Sequence, residues 1–184
     1  MFELLTGLGL ALPAGLNAYI PLLIVALADR YTGLVHLAEP YDVLSSPPVI
    51  VILALLLLVE LLADKIPLVD HVNDLIQSAV RPAAGAILLM ASTEAVASIN
   101  PVVAMLLGLI VSGSVHVAKS SFRPIVTATT GGLGNPVVSA AEDASAIGLS
   151  VIAIIAPILI AVVLLALAVL AVLVLRMRLQ RAQT

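Results

Sequence analysis

A polar segment, residues 63–82, lies between two strongly apolar runs and restricts the possible folds more than any other part of the chain. It reads ADKIPLVDHVNDLIQSAVRP. On a helix with about 100° per residue its side chains separate into two faces. One face holds Asp70, His71, Asn73, Asp74, Gln77, Ser78 and Arg81. The other holds Leu68, Val69, Val72, Leu75, Ile76, Ala79 and Val80. The sequence therefore predicts an amphipathic helix whose polar face needs partners.

The composition indicates a membrane protein. Of 184 residues, 62% are hydrophobic and 10% are charged, and the mean hydropathy is +1.23. A water-soluble domain of this size needs a more polar surface, so we predict one integral membrane domain over residues 1–184. A net charge of −3 does not indicate a basic surface that would bind nucleic acid. The absence of cysteine excludes disulfides, thiolate metal sites and a cysteine nucleophile.

The apolar runs predict an all-α bundle of about five transmembrane helices. The predicted spans are Leu4 to Ala28, Pro47 to about Ala63, Pro82 to about Ala91, Pro101 to about Ala118, and Ile147 to Leu175. We expect the first to be kinked or interrupted near Asn17, because prolines on both sides of it remove backbone donors. A glycine-rich packing seam is favoured there over a backbone-lined site. The last span contains Pro157, so a tilt or a kink is expected.

A second polar stretch, residues 119–145, resembles the first in spacing. Lys65 and Arg81 are 16 positions apart, as are Lys119 and Asn135, and each pair ends before a proline. An internal repeat and a chance spacing are equally good interpretations. Three arginines in the C-terminal tail favour a cytoplasmic C-terminus, but that orientation places the cations of both polar stretches outside. A polar connector that re-enters the membrane within protein resolves the conflict, and we prefer it to an ordinary topology that violates the charge rule.

The first polar face allows several chemistries. Its carboxylates and its histidine suit a divalent ion or a proton relay, and a solvated interfacial helix is the plainer alternative. We favour a polar cavity lined by protein.

In the second stretch, residues 127–136 are rich in threonine and glycine before a predicted helix. Converging backbone amides there suit an anion, and hydroxyl oxygens suit a monovalent cation. A structural alternative is a helix start capped by Asn135-Pro136, with Ser139 and Glu142 as a capping box. We also predict that Lys119 and Arg123 pair with Asp64 and Glu60, and that His116 is a hydrogen-bonded interior histidine.

The candidate residues for binding an ion or a solute are all polar and belong to, or adjoin, the two polar stretches. They are Asp64, Lys65, Asp70, His71, Asp74, Arg81, His116, Lys119, Arg123, Thr130, Asn135, Glu142 and Asp143. No catalytic residue, metal ligand or cofactor is predicted, because the chain has no serine elbow, no H-E-x-x-H and no phosphate-binding loop.

Several blocks of the sequence resemble a known family. The blocks are ADKIP-VDH-ND, RPAAGA, HVAKSSFRP, TTGGLGNPVVSAAED and the opening GLGLALPAGLNAYIPLL. They resemble a family of small bacterial membrane proteins catalogued as domain of unknown function 4126. The resemblance implies a multi-pass protein of the bacterial inner membrane, and it implies no activity, substrate or site residue.

Three functions are consistent with these features. We expect a transporter or channel for an ion or a small hydrophilic solute, because ionisable groups beside lipid-spanning helices are costly to keep. A non-catalytic scaffold or assembly subunit is the first alternative, since seams of small residues suit helix association and allow a homo-oligomer. A lipid-modifying enzyme built on the Asp/His cluster is the second.

Overall fold

The computed structural model describes residues 2–63, 67–92 and 100–181, while the side chains of residues 2, 67–72 and 74 and of part of the last helix lie outside the description. Within these ranges the chain forms seven α-helices and a short 3-10 helix, Tyr41–Ser45, and no strand. The helices are α1 (Phe2–Ala14), α2 (Tyr19–Tyr31), α3 (Pro47–Ala63), α4 (Pro67–Ala91), α5 (Pro101–Thr130), α6 (Asn135–Ile155) and α7 (Pro157–Arg181). The all-α prediction is confirmed.

The first predicted span is a helical hairpin. It is interrupted near Asn17 as expected, between the 13-residue helices α1 and α2. Each helix is about 20 Å long, so a merely kinked helix would carry its two ends about 40 Å apart. Instead, Glu3 and Thr6 line the same cavity of about 420 Å³ as Val35 and His36. The chain therefore reverses at residues 15–18, and a single crossing from Leu4 to Ala28 was wrong.

Helix α1 lies at the centre of the fold, against α4, α5, α6 and α7. Its glycines allow this because each faces a neighbouring helix at close range. A Cβ atom at Gly7 would lie 2.6 Å from a side-chain carbon of Leu89, and one at Gly9 would lie 2.8 Å from Ala153 Cβ. At Gly15 a Cβ atom would meet the backbone oxygen of Ser112. The packing seam predicted from the glycines is confirmed.

Helices α4 and α5 form the closest helix pair. A Cβ atom at Gly108 would lie 2.5 Å from the carbonyl oxygen of Gly85, so the two backbones touch where they cross. Helix α4 runs unbroken through Pro82, so the amphipathic stretch and the predicted third span are one helix and not a connector followed by a span. Packing on both sides of the proline, at Arg81 and at Gly85, holds the helix together at this weak point.

The predicted spans at the C-terminal end also change. Helix α5 continues past Ala118 to Thr130, because residues 119–130 keep a buried face, and the chain turns only at Gly131 and Gly132, both with positive φ. The last apolar run is divided at Ala156, before Pro157, which agrees with the expected kink. The proposed repeat is not reproduced in the secondary structure, since Arg81 lies inside α4 whereas Asn135 begins α6.

The exterior of the described fold is apolar and its interior contains charges. On α3 most leucines and valines are exposed, and the buried residues are Leu53, Glu60 and Ala63. On α4, Leu75 and Ile76 are exposed while Gln77 and Arg81 are buried. Two helices, Pro101–Thr130 and Asn135–Ile155, are long and apolar enough to cross a membrane. This inversion of the water-soluble pattern is the one that lipid favours.

Candidate functional site

Arg81 connects three helices at the first polar centre. Its side chain is fully buried, and Nη2 lies 3.0 Å from Glu60 Oε1 on α3. Nη1 lies 3.0 Å from His116 Nδ1 on α5. Because a guanidinium group only donates, the ring nitrogen accepts, and the imidazole proton resides on Nε2. The hydroxyl of Ser112 donates to the Arg81 carbonyl oxygen at 2.7 Å, so both the side chain and the backbone of Arg81 are fixed.

Gln77 lies one helical turn before Arg81 on α4 and is 2% exposed. Its Oε1 atom has no hydrogen-bond partner in the described part of the chain. The phenol of Tyr19, at the start of α2, lies close to the side chains of Gln77, Glu60 and Arg81. The first polar centre therefore extends to the hairpin.

Lys119 and Arg123 form the second polar centre, together with Glu142 of α6. Lys119 Nζ and Arg123 Nη2 each lie 3.0 Å from the same atom, Glu142 Oε2. Both cations belong to the buried face of α5. One carboxylate oxygen therefore serves two buried cations.

The turn of the hairpin is held by this second centre. Lys119 Nζ donates to the carbonyl oxygen of Leu16 at 2.8 Å. The side-chain oxygen of Asn17 accepts from the backbone N–H groups of Tyr19 and Ile20 and so caps α2. Its Nδ2 atom donates to Asp143 Oδ1 at 3.0 Å. The Leu16 carbonyl oxygen of the unwound turn is thus bound by a side chain of α5, and the Asn17 side chain joins the turn to α6.

One face of α5 links the two centres. Buried side chains recur along it at helical spacing: Ala104, Gly108, Ser112, His116, Lys119, Arg123 and Val126. Gly108, Ser112 and His116 form a small and polar stripe on this face, and the stripe continues into the cations. Exposed apolar residues flank the cations on the outer side of the helix, with Val117 before them and Phe122 and Ile125 at their level. The centres lie inside an apolar envelope.

The predicted site residues divide into three groups. Arg81, His116, Lys119, Arg123, Glu142 and Asp143 are brought together around the hairpin. Asp64 and Lys65 lie outside the described residues, as do the side chains of Asp70, His71 and Asp74, whose backbones belong to α4. Thr130 and Asn135 lie elsewhere, at the turn between α5 and α6.

At that turn the structural interpretation needs correction. Thr130 is exposed, and its hydroxyl donates to the Val126 carbonyl oxygen and accepts from the Gly134 backbone N–H. Asn135 is not a cap: Gly134 precedes the helix without a side-chain cap, and the Asn135 amide donates to the Thr127 hydroxyl at 3.0 Å. The capping box of Ser139 and Glu142 was also wrong, because the Glu142 carboxylate reaches α5.

The described ion pairs of the α5 cations are with another carboxylate than the expected Glu60, and Asp64, the other expected partner, lies outside the described residues. Glu60 binds Arg81, and Lys119 and Arg123 bind Glu142. The reason is geometric. Arg81 lies opposite Glu60 where α3 meets α4, whereas Lys119 and Arg123 lie farther along α5, where α6 supplies a carboxylate.

Sequence reasoning did not include Leu16, Asn17, Glu60 and Gln77 among the site residues. The signal for the first two was the break between Pro13 and Pro21, which was assigned mainly to packing. The break serves both purposes, since Gly15 packs against α5 while the Leu16 carbonyl oxygen binds Lys119. For Glu60, a lone carboxylate in a run of leucines was the available signal.

The described side chains of the two centres are arranged to bind charged and polar groups. Among the described residues no group of three or more His, Asp or Glu side chains is placed to hold a metal ion. The two centres contain buried cations, a histidine acceptor and carboxylates beside unwound backbone.

A comparison with known families identifies the chain. Its residues 4–177 match the sequence profile of the family described as Domain of unknown function (DUF4126), and the chain belongs to that family. No curated protein and no solved structure shows significant similarity to it.

Proposed function

We propose that this member of the DUF4126 family is an integral protein of the bacterial inner membrane that transports an ion or a small hydrophilic solute. The solute site is formed by the α1–α2 hairpin turn, the buried face of α5 and the start of α6. The observation that carries the proposal is the contact of the unwound turn at Leu16 with the buried cation Lys119.

The cost of the buried charges supports a functional role. A charged side chain at the centre of a bilayer costs at least about 2.5 kcal/mol, and even paired buried charges are seldom more stable than apolar residues of the same shape. Glu60, Arg81, Lys119 and Arg123 are all at least nine-tenths buried. Packing alone gives no reason to keep four such groups.

The α1–α2 hairpin is a reason to propose transport in particular. Interrupted helices in transporters expose backbone groups and helix ends near the membrane midplane, where solutes and ions bind. Here α1 and α2 are each too short to cross a bilayer of about 30 Å, and their turn is enclosed by charged side chains. We infer that the hairpin is a re-entrant element, in place of the polar connectors for which that role was expected.

A flux measurement tests the function. Purified protein is reconstituted into liposomes and assayed with monovalent cations, halides, small carboxylates and phosphate. We expect flux of at least one solute, with a loss of about tenfold or more in Lys119→Gln, because the variant removes a charge that contacts the turn. Asp42→Asn, on the exposed 3-10 helix, is the matched control and should not change the flux. Absence of flux for every solute in the wild-type protein would overturn the proposal.

Cysteine labelling supplies an independent test, because the chain has no natural cysteine. Single cysteines replace Leu16 at the turn, Ser78 on α4 and Thr130 at the end of α5. A membrane-impermeant thiol reagent is then added from each side separately. Reaction of Leu16→Cys from both sides indicates a water path or an alternating cavity. If all three cysteines react from a single side of the membrane, there is no water path through the protein, and the scaffold function is favoured.

A further inference from the structure

We propose that Gln77 binds the transported solute at the first polar centre, and that this solute is a small molecule or ion with N–H or O–H donors, such as a neutral amide or ammonium. The inference rests on the proposed transport function and names the class of its solute. It adds a contact on α4 to the solute site at the hairpin turn.

The side-chain oxygen of Gln77 carries the inference. The residue is 2% exposed, and its Oε1 atom has no hydrogen-bond partner in the described part of the chain. Nearly all buried acceptors in proteins have a donor, because burial removes the hydrogen bonds that water would make. An apolar side chain of the same length would avoid this cost. We therefore infer that a bound molecule supplies the donor.

The turn of α4 that carries Gln77 is held in place by its neighbour Arg81. The Nη2 atom of Arg81 lies 3.0 Å from Glu60 Oε1, and its Nη1 atom lies 3.0 Å from His116 Nδ1. The hydroxyl of Ser112 donates to the Arg81 carbonyl oxygen at 2.7 Å. Contacts with α3 and α5 thus fix the backbone one helical turn from Gln77. An acceptor on a fixed backbone binds a donor with a smaller loss of conformational freedom.

The phenol of Tyr19 supplies the room for a solute. It lies close to the side chain of Gln77 and is partly buried, whereas Gln77 is buried. Tyr19 is therefore the outer residue of the two, and rotation of its side chain exchanges the phenol for a molecule of similar or smaller size. Because Tyr19 begins α2 directly after the hairpin turn, a solute at Gln77 contacts the element whose Leu16 carbonyl oxygen binds Lys119.

A carboxamide oxygen selects its ligand by hydrogen bonding. It accepts from N–H and O–H groups and offers nothing to a halide or an ionised carboxylate, which only accept. A site built to bond a polar group also rejects an analogue of the same shape that lacks the donor, because the buried oxygen then stays unpaired. A neutral amide and ammonium share the required donors, and a comparison of the two shows which of them binds.

Pairs of solutes of similar size test the assignment. Acetamide has N–H donors that acetone lacks, and ammonium has N–H donors that potassium lacks. The thermal unfolding midpoint of the full chain in detergent is measured with each solute at equal concentration and ionic strength. We expect acetamide or ammonium to raise the midpoint of wild type by several degrees more than its partner solute does, because ligand binding stabilises the folded state.

Two variants make this comparison specific. The difference between the paired solutes should vanish in Gln77→Met, which keeps the length of the side chain and removes the acceptor. Ser78→Ala is the matched control on the same helix, since the exposed Ser78 hydroxyl donates to the Leu75 carbonyl oxygen of its own helix. This control should respond to the solutes as wild type does. Equal shifts with donor and non-donor solutes in wild type would overturn the assignment and indicate that water alone bonds the acceptor.

The stability of Gln77→Met without solute provides a second readout. Because no described protein group donates to Oε1, the apolar side chain should raise the unfolding midpoint by a few degrees. A structural role of Gln77 predicts the opposite change. A lower midpoint, or failure of Gln77→Met to fold, would show that the oxygen has a partner within the protein, and the assignment would be wrong.

The outcomes separate this inference from the proposed function. A midpoint shift that depends on the donor, without flux of any solute in liposomes, leaves the binding site and removes transport. Flux of acetamide or ammonium should fall about tenfold or more in Gln77→Met, and flux that this variant leaves unchanged keeps transport and removes Gln77 as a solute contact. A shift with acetamide alone identifies a neutral amide as the ligand, and a shift with ammonium alone identifies a cation.

Discussion

The side-chain amide of Asn17 donates a hydrogen bond of 3.0 Å to the carboxylate of Asp143, and its oxygen caps α2 by accepting from Tyr19 and Ile20. One neutral side chain thus joins the hairpin turn to α6 and begins the returning helix. Only an amide provides a donor and an acceptor at these two places, because a carboxylate accepts only.

Asn17→Asp should therefore destabilise the protein by about 1–3 kcal/mol although aspartate is a good N-cap, since it places two carboxylates in contact. The unfolding midpoint in detergent measures the change. Asp143→Asn in the same chain should recover most of the loss. An Asn17→Asp variant as stable as wild type would show that the contact with Asp143 is not made.

Lys119→Met should cost about 2–4 kcal/mol, because it removes the donor to the Leu16 carbonyl oxygen and one of the two cations that bind Glu142. Ser120→Ala is the control on the same helix, since its hydroxyl bonds only within α5, to Val117. Denaturant unfolding in mixed micelles gives both values. Equal stability of the two variants would contradict a link between α5 and the hairpin.

The Glu60–Arg81 pair should be strongly non-additive. Glu60→Leu and Arg81→Met should each cost about 3–5 kcal/mol, because each removes one member of a buried ion pair. The double variant should be more stable than either single variant and close to wild type. A double-mutant cycle measured by unfolding provides the test, and additive costs would show that the pair is not coupled.

The same substitution should have opposite effects at two glycines. Gly108→Ala should destabilise by about 1–3 kcal/mol, because its Cβ atom meets the backbone of α4. Gly148→Ala, where nothing lies within 4 Å, should stabilise α6 by about 0.5–1 kcal/mol. Unfolding midpoints of the two variants compare them directly. A stabilising Gly108→Ala would mean that α4 and α5 do not touch there.

Features with a local cause could be predicted from the sequence. The break near Asn17, the cap at Asn100 before Pro101 and the kink at Pro157 each follow from residues that cannot continue a helix. The two faces of residues 67–81 follow from helical periodicity, and the structure buries the polar residues Gln77 and Arg81 as a lipid environment requires.

Features that depend on distant partners could not be predicted. A proline ends a helix at Ala156 but not at Arg81, because tertiary contacts on both sides of Pro82 compensate for the lost hydrogen bond. The same limit affected the ion pairs. Glu60 and Glu142 are both carboxylates on apolar helices, and their sequence positions do not show which of them approaches Lys119.

The sequence by itself determined that this chain is helical and rich in apolar helix surface, and that a charge within an apolar helix needs a partner, because composition and periodicity are properties of each segment alone. The tertiary structure decided that the first apolar run reverses at Leu16 and Asn17, and that Lys119, Arg123 and Glu142 meet at that turn. The contact of Leu16 with Lys119 joins residues 103 positions apart. No local pattern encodes a separation of that kind, since it depends on how all the helices pack together.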